Sequence, residues 1–269
     1  MKNEHAHFAG SIPAAYDRYL GHVLFQPYAE DLMARLQVPE NGSVLELACG
    51  TGIVTRELRN RLPATVKLIA TDLNEPMFQH AAAKFAQGEA VEWQQADACS
   101  LPFGDAMFDA VVCQFGIMFV PDKELAACEA RRVLKPGGRF LFNVWDAIEH
   151  NELGRIAHET IAGYFDNDPP NFYQVPFGYY DHGEIRRVLA AAGFRDIKID
   201  VVEKVSGASR ADETAIGLVQ GNPVSIAIAE RGPALLPVIT NAVAAALKSR
   251  FGEADLRARL RAIVVQARV

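Results

Sequence analysis

The chain is poor in the residues that would make it a disulfide scaffold, a metal protein, a membrane protein or a nucleic-acid binder. Only four of its 269 residues are cysteine. Cys49, Cys99, Cys113 and Cys128 lie in or beside apolar segments with no CxxC or Cys/His metal spacing. They read as free thiols in a reducing compartment. The seven histidines form no metal constellation, so no metal is expected. No run of about 18 apolar residues occurs, and the polar N-terminus has no signal-peptide core. A cytoplasmic protein without membrane insertion is therefore expected. Basic charge is also short: 27 Lys and Arg stand against 33 Asp and Glu, a formal net charge of −6. Without a basic stripe there is no electrostatic footprint for nucleic acid. Repeats and low-complexity linkers are missing too. Half of the residues are apolar, enough to bury a sizeable core, so residues 1–269 read as a single domain.

Periodicity predicts the elements. Residues 13–36 carry a helical pattern, opened by Pro13 and carried by Tyr16, Tyr19, Leu20 and Leu24, with a break at Gly21 and a second helix over 26–36. Asn41-Gly42 is a turn. Strands are then predicted at 43–48, 66–71, 90–94, 108–114 and 138–145, with helices at 52–61, 75–87 and 122–133. Near-continuous apolar strands alternating with helices mean an α/β, doubly wound parallel sheet. Further on, 149–163 and 182–191 read as helices, and 166–180 as a loop rich in proline and aromatics. Alternation over 197–201 suggests an edge strand; 211–220, 223–231 and 233–251 are helical, and 257–268 closes with one more strand.

The chemistry concentrates in Val44-Leu45-Glu46-Leu47-Ala48-Cys49-Gly50-Thr51-Gly52, a buried strand with an acid inside it that runs into a glycine turn and a helix. Gly50 and Gly52 let the backbone approach a ligand, and the helix N-terminus aims its free N–H groups at the same point. Dinucleotides and S-adenosylmethionine are both bound this way. The dinucleotide fingerprint needs a third glycine where Thr55 stands, and Glu46 would repel a pyrophosphate. An acid there suits an ammonium or sulfonium. Asp72 ends the second strand about 20 residues further on, where an acid accepts ribose hydroxyls. Its competing role is a helix cap, which Asn74 can fill instead. Asp97-Ala98, past the third strand, can read an adenine edge; the plainer role for Asp97 is an Asx-turn.

Taken together these residues resemble the class I S-adenosylmethionine-dependent methyltransferases, and more narrowly the "methyltransferase type 11" or ubiquinone/menaquinone-biosynthesis-like group. The pieces are VLELACGTG (44–52), IATDLNEPM (69–77), QQADACSLPF (94–103), FDAVVCQFGIMFVPD (108–122) and RRVLKPGGRFLFNVW (131–145). The resemblance is strong over roughly residues 40–146, the cofactor-binding core. It implies a Rossmann-like seven-stranded sheet of order 3-2-1-4-5-7-6 with the last strand antiparallel. It also implies S-adenosylmethionine as cofactor and S-adenosylhomocysteine as product. Glu46 and Ala48, Cys49, Gly50, Thr51 and Gly52 would hold the methionine part, and Asp72 the ribose. Leu73 and Met77 would flank adenine, with Asp97 and Ala98 at its edge. Gln114 and Phe115 would border the transfer site. Lys135-Pro136-Gly137-Gly138 would be a structural turn. Ala48 stands where many relatives carry glycine, a small change that leaves binding intact.

The acceptor falls to the variable segments 8–36, 149–181 and 207–251, expected to form a helical cap. Tyr16 and Phe25 are the aromatic residues expected over the cofactor. A small, apolar or aromatic acceptor is expected, and a homodimer is compatible with the chain. His150 and His182, and less specifically His158, are candidates for a general base; His5 and His7 lie near the N-terminus. Asp168-Pro169-Pro170 resembles an amino-methyltransferase signature, but it follows the fifth strand instead of the fourth and Asn171 replaces the aromatic, so it reads as a loop. The Met- and Asn-rich N-terminal segment of the quinone enzymes is missing around Tyr16-Asp17-Arg18-Tyr19, so a quinone acceptor is not assigned. A non-catalytic S-adenosylmethionine-binding protein and an NAD(P)-dependent oxidoreductase are the competing readings.

Overall fold

The computed structural model describes residue 8 and residues 10–269; His5 and His7 fall outside the described residues. Seven strands, β1 (Ser43–Glu46), β2 (Lys67–Asp72), β3 (Glu92–Gln95), β4 (Phe108–Gln114), β5 (Leu134–Trp145), β6 (Arg195–Val205) and β7 (Arg259–Arg268), form one sheet. Its order is β3-β2-β1-β4-β5-β7-β6. Strands β1 to β5 run parallel, and β7 is antiparallel to both β5 and β6. The order and the antiparallel last strand are those implied by the family resemblance. Val111, Val112 and Cys113 of β4 and Phe140, Leu141 and Phe142 of β5 are buried, because helices cover both faces at the centre of the sheet.

The helices are α1 (Ile12–Leu20), α2 (Gln26–Arg35), α3 (Ile53–Arg61), α4 (Glu75–Ala82), α5 (Lys123–Val133), α6 (Glu152–Ala162), α7 (His182–Ala191), α8 (Ala211–Gln220), α9 (Val224–Arg231) and α10 (Leu235–Phe251). One face of the sheet packs Ala29, Leu32 and Met33 of α2 and Val54 and Leu58 of α3 against Val44, Leu68 and Val112. α5 and α7 contact one another, and their buried Ala130, Val133, Ile185 and Leu189 belong to the larger cluster with Phe140 and Phe142. α1, α6, α8 and α10 pack on one another as a separate helical group.

Several boundaries differ from those expected. Gly21 does not break the first helix: its φ is −50°, and Gly21–Phe25 continues as a π-helical turn into α2. α2 also departs from the expected cap, since it lies in the helix layer under the sheet. β1 ends at Glu46 instead of residue 48 because Ala48 turns to φ +51°. β5 starts four residues early. Phe108 pairs with Leu134 and Ala110 with Arg139, so the Lys135–Gly138 turn is an excursion within the strand, made at Gly137 with φ +77°. β6 extends to both sides of the expected 197–201.

Gly52 caps α3 at φ +83°, and a Cβ there would lie 2.9 Å from the Ala81 Cβ of α4. Gly52→Ala therefore combines left-handed strain with a clash between two helices. We expect a loss of about 2 kcal/mol or more in urea unfolding, and a smaller loss for Gly88→Ala, which has the left-handed strain without the clash.

Candidate functional site

The turn after β1 is held by three left-handed residues, Ala48, Gly50 and Gly52. Ala48 carries the cost of a Cβ in that region, about 1–2 kcal/mol. Space for it comes from Gly116, where a Cβ would lie 2.3 Å from that of Ala48. The departure from glycine at position 48 is thus matched by a glycine across the strand ends. The Cys49 N–H donates to the Thr71 carbonyl at 2.8 Å, and the Leu47 N–H to that of Val112 at 2.8 Å. The turn is therefore anchored to the ends of both neighbouring strands.

Two buried acids lie beside it. Glu46 is only 2 % exposed, and its Oε2 accepts from the Thr55 hydroxyl at 2.6 Å. Burial pushes its carboxyl up to about 8; Asp72 adds to the rise and Thr55 opposes it. Thr55, read in the sequence only as a missing glycine, is the residue that orients this acid. Asp72 accepts the Gly50 N–H at 2.9 Å and the Asn74 N–H at 2.8 Å. Its pKa is also raised, by burial, against the pull of those two N–H groups. A carboxylate has about four lone-pair sites; the Asn74 side-chain amide takes a third at 3.4 Å, so one is open and this longest bond is the one a second ligand hydroxyl would displace. Asn74 sits at the α4 N-cap but makes no side-chain cap bond. Its Oδ1 instead accepts the Phe8 N–H at 3.2 Å, tying the N-terminal segment to the site.

A cavity of about 290 Å³ opens at the carboxyl ends of β1, β2 and β4 and beyond β3. It brings together Tyr16, Ala48, Gly50, Asp72, Leu73, Met77, Asp97, Ala98, Gln114 and Phe115 from the sequence-predicted set. Asp97 accepts the Cys99 N–H at 2.8 Å, so the Asx-turn exists and one oxygen of the same carboxylate is left over. Glu46, Cys49, Thr51 and Phe25 line an adjoining recess of about 30 Å³ that also touches Tyr16, Ala48, Gly50 and Gln114. In that recess the Thr51 hydroxyl and the Gln114 Oε1 are both buried, and the Gln114 oxygen has no hydrogen-bond partner among the described residues. The Gln114 amide is oriented by donating its Nε2 to the Phe25 carbonyl at 3.3 Å. Gly52 lines neither space; its role is the helix cap.

A second, smaller cavity lies on the other side of a wall made by Phe8, Tyr16, Phe115 and Phe119, which line both spaces. Tyr16 stacks on Phe25 with centroids 4.8 Å apart, and Phe115 on Trp145 at 3.9 Å. Phe172, Tyr173 and Phe177 of the proline-rich loop complete this cavity. Among the described residues that line it there is no Asp, Glu, Lys, Arg or His. None of the three histidines His150, His158 and His182 lines either cavity: His150 and His182 are exposed, and His158 makes a tilted ring contact with Tyr173 at 6.1 Å. Asp168 also lies apart, paired with Arg231 at 3.0 Å. Among the described residues no group of three or more His, Cys, Asp or Glu has metal-binding geometry, and no helix is long and apolar enough to cross a membrane. Sequence reasoning missed Phe119, Gly116 and Trp145 as lining or supporting residues. Each follows β4 or ends β5, so position at a strand end was the available signal.

The raised Glu46 carboxyl has a pH signature. Its ordinary value is 4.5 and its folded value about 8, so between these the folded state holds the extra proton. Stability contributed by that proton is full below about pH 4.5 and is lost as pH rises through about 8. Glu46→Gln should flatten this part of the stability–pH profile in ligand-free protein. An unchanged profile in chemical denaturation would show that Glu46 does not carry it.

Residues 45–142 match a family model described as a methyltransferase domain. A demethylmenaquinone methyltransferase of Lactiplantibacillus plantarum is 38% identical over 117 residues, 42% of this chain and 49% of that protein. The match thus spans about half the length of that relative. One of the same description from Staphylococcus aureus (strain JH9) is 34% identical over 207 residues, covering 70% of this chain and 84% of the relative. The solved structure of the YcgJ protein of Bacillus subtilis superposes with a TM-score of 0.59 at 20% identity, over 89% of this chain and 97% of that one. Coverage on that scale, with the strand order and the site residues already described, assigns the family: the chain belongs to the class I S-adenosylmethionine-dependent methyltransferases, in their ubiquinone/menaquinone-methyltransferase-like group.

Proposed function

We propose that this chain transfers a methyl group from S-adenosylmethionine to a small, apolar or aromatic acceptor. The observation that carries the reading is the recess beside Glu46. The Gln114 amide oxygen is buried there without a partner among the described residues, next to the Glu46 carboxyl and the Thr51 hydroxyl. An ammonium with three N–H donors satisfies that set, and a dinucleotide pyrophosphate does not. Asp72 then faces the ribose, Leu73 and Met77 the adenine faces, and Asp97 with Ala98 the adenine edge. Tyr16 and Phe25 close the methionine side.

The cofactor supplies a methyl group on a sulfonium sulfur, an intrinsically reactive donor. What the chain contributes is alignment, which can supply roughly 7–11 kcal/mol in an in-line displacement. The aromatic wall of Phe8, Tyr16, Phe115 and Phe119 sets where the two reactants meet. The second cavity has a volume of about 60 Å³, less than an aromatic ring needs, so the acceptor enters by displacing part of the apolar lining formed by Phe115, Trp145, Phe172 and Phe177. A flat aromatic ring, as the name demethylmenaquinone implies for the acceptor of the relatives, fits such a lining. A cytoplasmic location and a homodimer belong to the same proposal.

Calorimetry should show S-adenosylmethionine binding and no NAD(P)H binding. Asp72→Asn should weaken S-adenosylmethionine about tenfold or more, the cost of a charge-assisted pair of hydrogen bonds. Affinity that is unchanged in Asp72→Asn would sink the donor assignment. Turnover is tested separately, by S-adenosylhomocysteine release with a panel of aromatic acceptors. Binding without release across that panel would favour a non-catalytic S-adenosylmethionine-binding protein. Phe177→Ala strips apolar lining from the second cavity and should raise KM for an aromatic acceptor several-fold while leaving S-adenosylmethionine affinity unchanged.

A further inference from the structure

We propose that a cleft at the far end of the sheet binds a phosphate-type oxyanion. The cleft, of about 600 Å³, lies between the C-terminal end of α2 and strands β5, β7 and β6. It is remote from the donor cavity along the strands. Arg139, which lines it, sits beside Ala110 near the start of β4, whereas Gln114 of the donor cavity pairs with Asn143.

Four cations line it: Arg35 of α2, Arg139 of β5, Arg268 of β7 and Lys198 of β6. Arg139 and Arg268 are direct partners across the antiparallel ladder, so their side chains rise from the same face about 5 Å apart at the backbone. Like charges directly opposite are destabilising. Neither of these two arginines takes part in an ion pair among the described residues, and neither does Lys198; Arg35 is already committed to Asp31 and Asp200. Burial and Arg268 both act against the charge on Arg139. Arg195, also opposite Arg268, adds a third cation to the row. One acid, Asp196, lines the cleft, and it makes no ion pair there. Leu36, Phe140 and Ile197 supply apolar wall.

This concentration of positive charge runs against a chain of net charge −6. Two guanidinium forks on one face match the oxygens of a phosphate bidentately. The volume exceeds that of one phosphate, so a diphosphate or a phosphate attached to a small organic body fits the cleft. A bound oxyanion would also remove the repulsion between Arg139 and Arg268. None of this depends on the methyl-transfer reading.

The test is calorimetric titration of the whole chain with inorganic pyrophosphate in low-salt buffer, with citrate as a carboxylate polyanion and a nucleoside diphosphate as the organic-bodied source. Saturable one-to-one pyrophosphate binding that is tighter than citrate is expected. Each arginine removed in Arg139→Gln and Arg268→Gln should weaken it about tenfold, while S-adenosylmethionine affinity is unchanged. A nucleoside diphosphate that binds more tightly than pyrophosphate would identify the apolar wall as part of the site; equal binding would restrict the site to the phosphate group. Both outcomes support the proposal. Should the arginine variants fold poorly, the exposed Lys198→Gln should weaken pyrophosphate several-fold. No saturable binding by the parent chain, binding kept by Arg139→Gln/Arg268→Gln or by Lys198→Gln, or citrate binding as tightly as pyrophosphate would each overturn it.

Discussion

The architecture of the site depends on a carboxyl group placed where a strand of the core ends. Taking an isolated carboxylate out of water costs several kcal/mol even after relaxation, and among the described residues no cation pairs with Glu46. The protein meets that cost in two ways. Thr55 donates a hydroxyl, and the carboxyl holds its proton up to about pH 8. Neither is a full solution, and the surrounding groups make it harder: Asp72 is near, and the Gln114 oxygen lacks a partner among the described residues. Such a pocket is incomplete until a cationic donor of hydrogen bonds enters it. The ligand's charge thus provides what the fold withholds, and selectivity against a pyrophosphate follows from the same arrangement.

The backbone around that acid is constrained to match. Three residues of the turn adopt left-handed conformations, one of them an alanine. The Ala48 Cβ is accommodated only because Gly116 has none, and Phe115 just before it is also left-handed at φ +50°. The Phe115 N–H is held by Asn143 Oδ1 at 2.9 Å, and the ring it presents stacks on Trp145. The two strand ends, β1 and β4, are therefore fitted to each other before any ligand is present. One side of the fit faces the donor cavity and the other side supports the aromatic wall. A change at position 48 or 116 would act on both cavities through this shared contact.

The donor half of the site was readable in the sequence because its determinants are positional. An acid in a strand, glycines in the turn, and acids at the next two strand ends all follow from period and spacing, and the sheet then gathers them at one edge. Thr55 was misjudged because a hydroxyl at that position has a role only once Glu46 is known to be buried beneath it. Gly21 was read as a helix break from propensity, yet its flanking contacts keep the chain helical. The acceptor half was less legible. Its lining comes from α1, the segment after β4, the end of β5, α6, the loop at 172–177 and α8, segments brought together by packing of helices that carry no shared period. Histidines chosen by residue type fell outside it, since a type that titrates near neutrality says nothing about where a loop points.

Two places in this chain break local rules, and each break has the same physical form. Glu46 puts an ionisable acid, kept protonated by burial, into an apolar strand; Arg139 and Arg268 put positive charges opposite each other on neighbouring strands. In the first case the missing partner is found by following the polar groups that surround the acid, which ask for a donor. In the second the surrounding groups are donors that ask for an acceptor. A sequence under selection for folding alone has no reason to leave either set unmatched, since an apolar residue at 46 or a glutamate at 268 would satisfy the fold at lower cost. An unpaired ionisable group on a well-ordered sheet is thus a stronger pointer to a ligand than exposure or residue type, and here such groups mark opposite ends of the same seven strands.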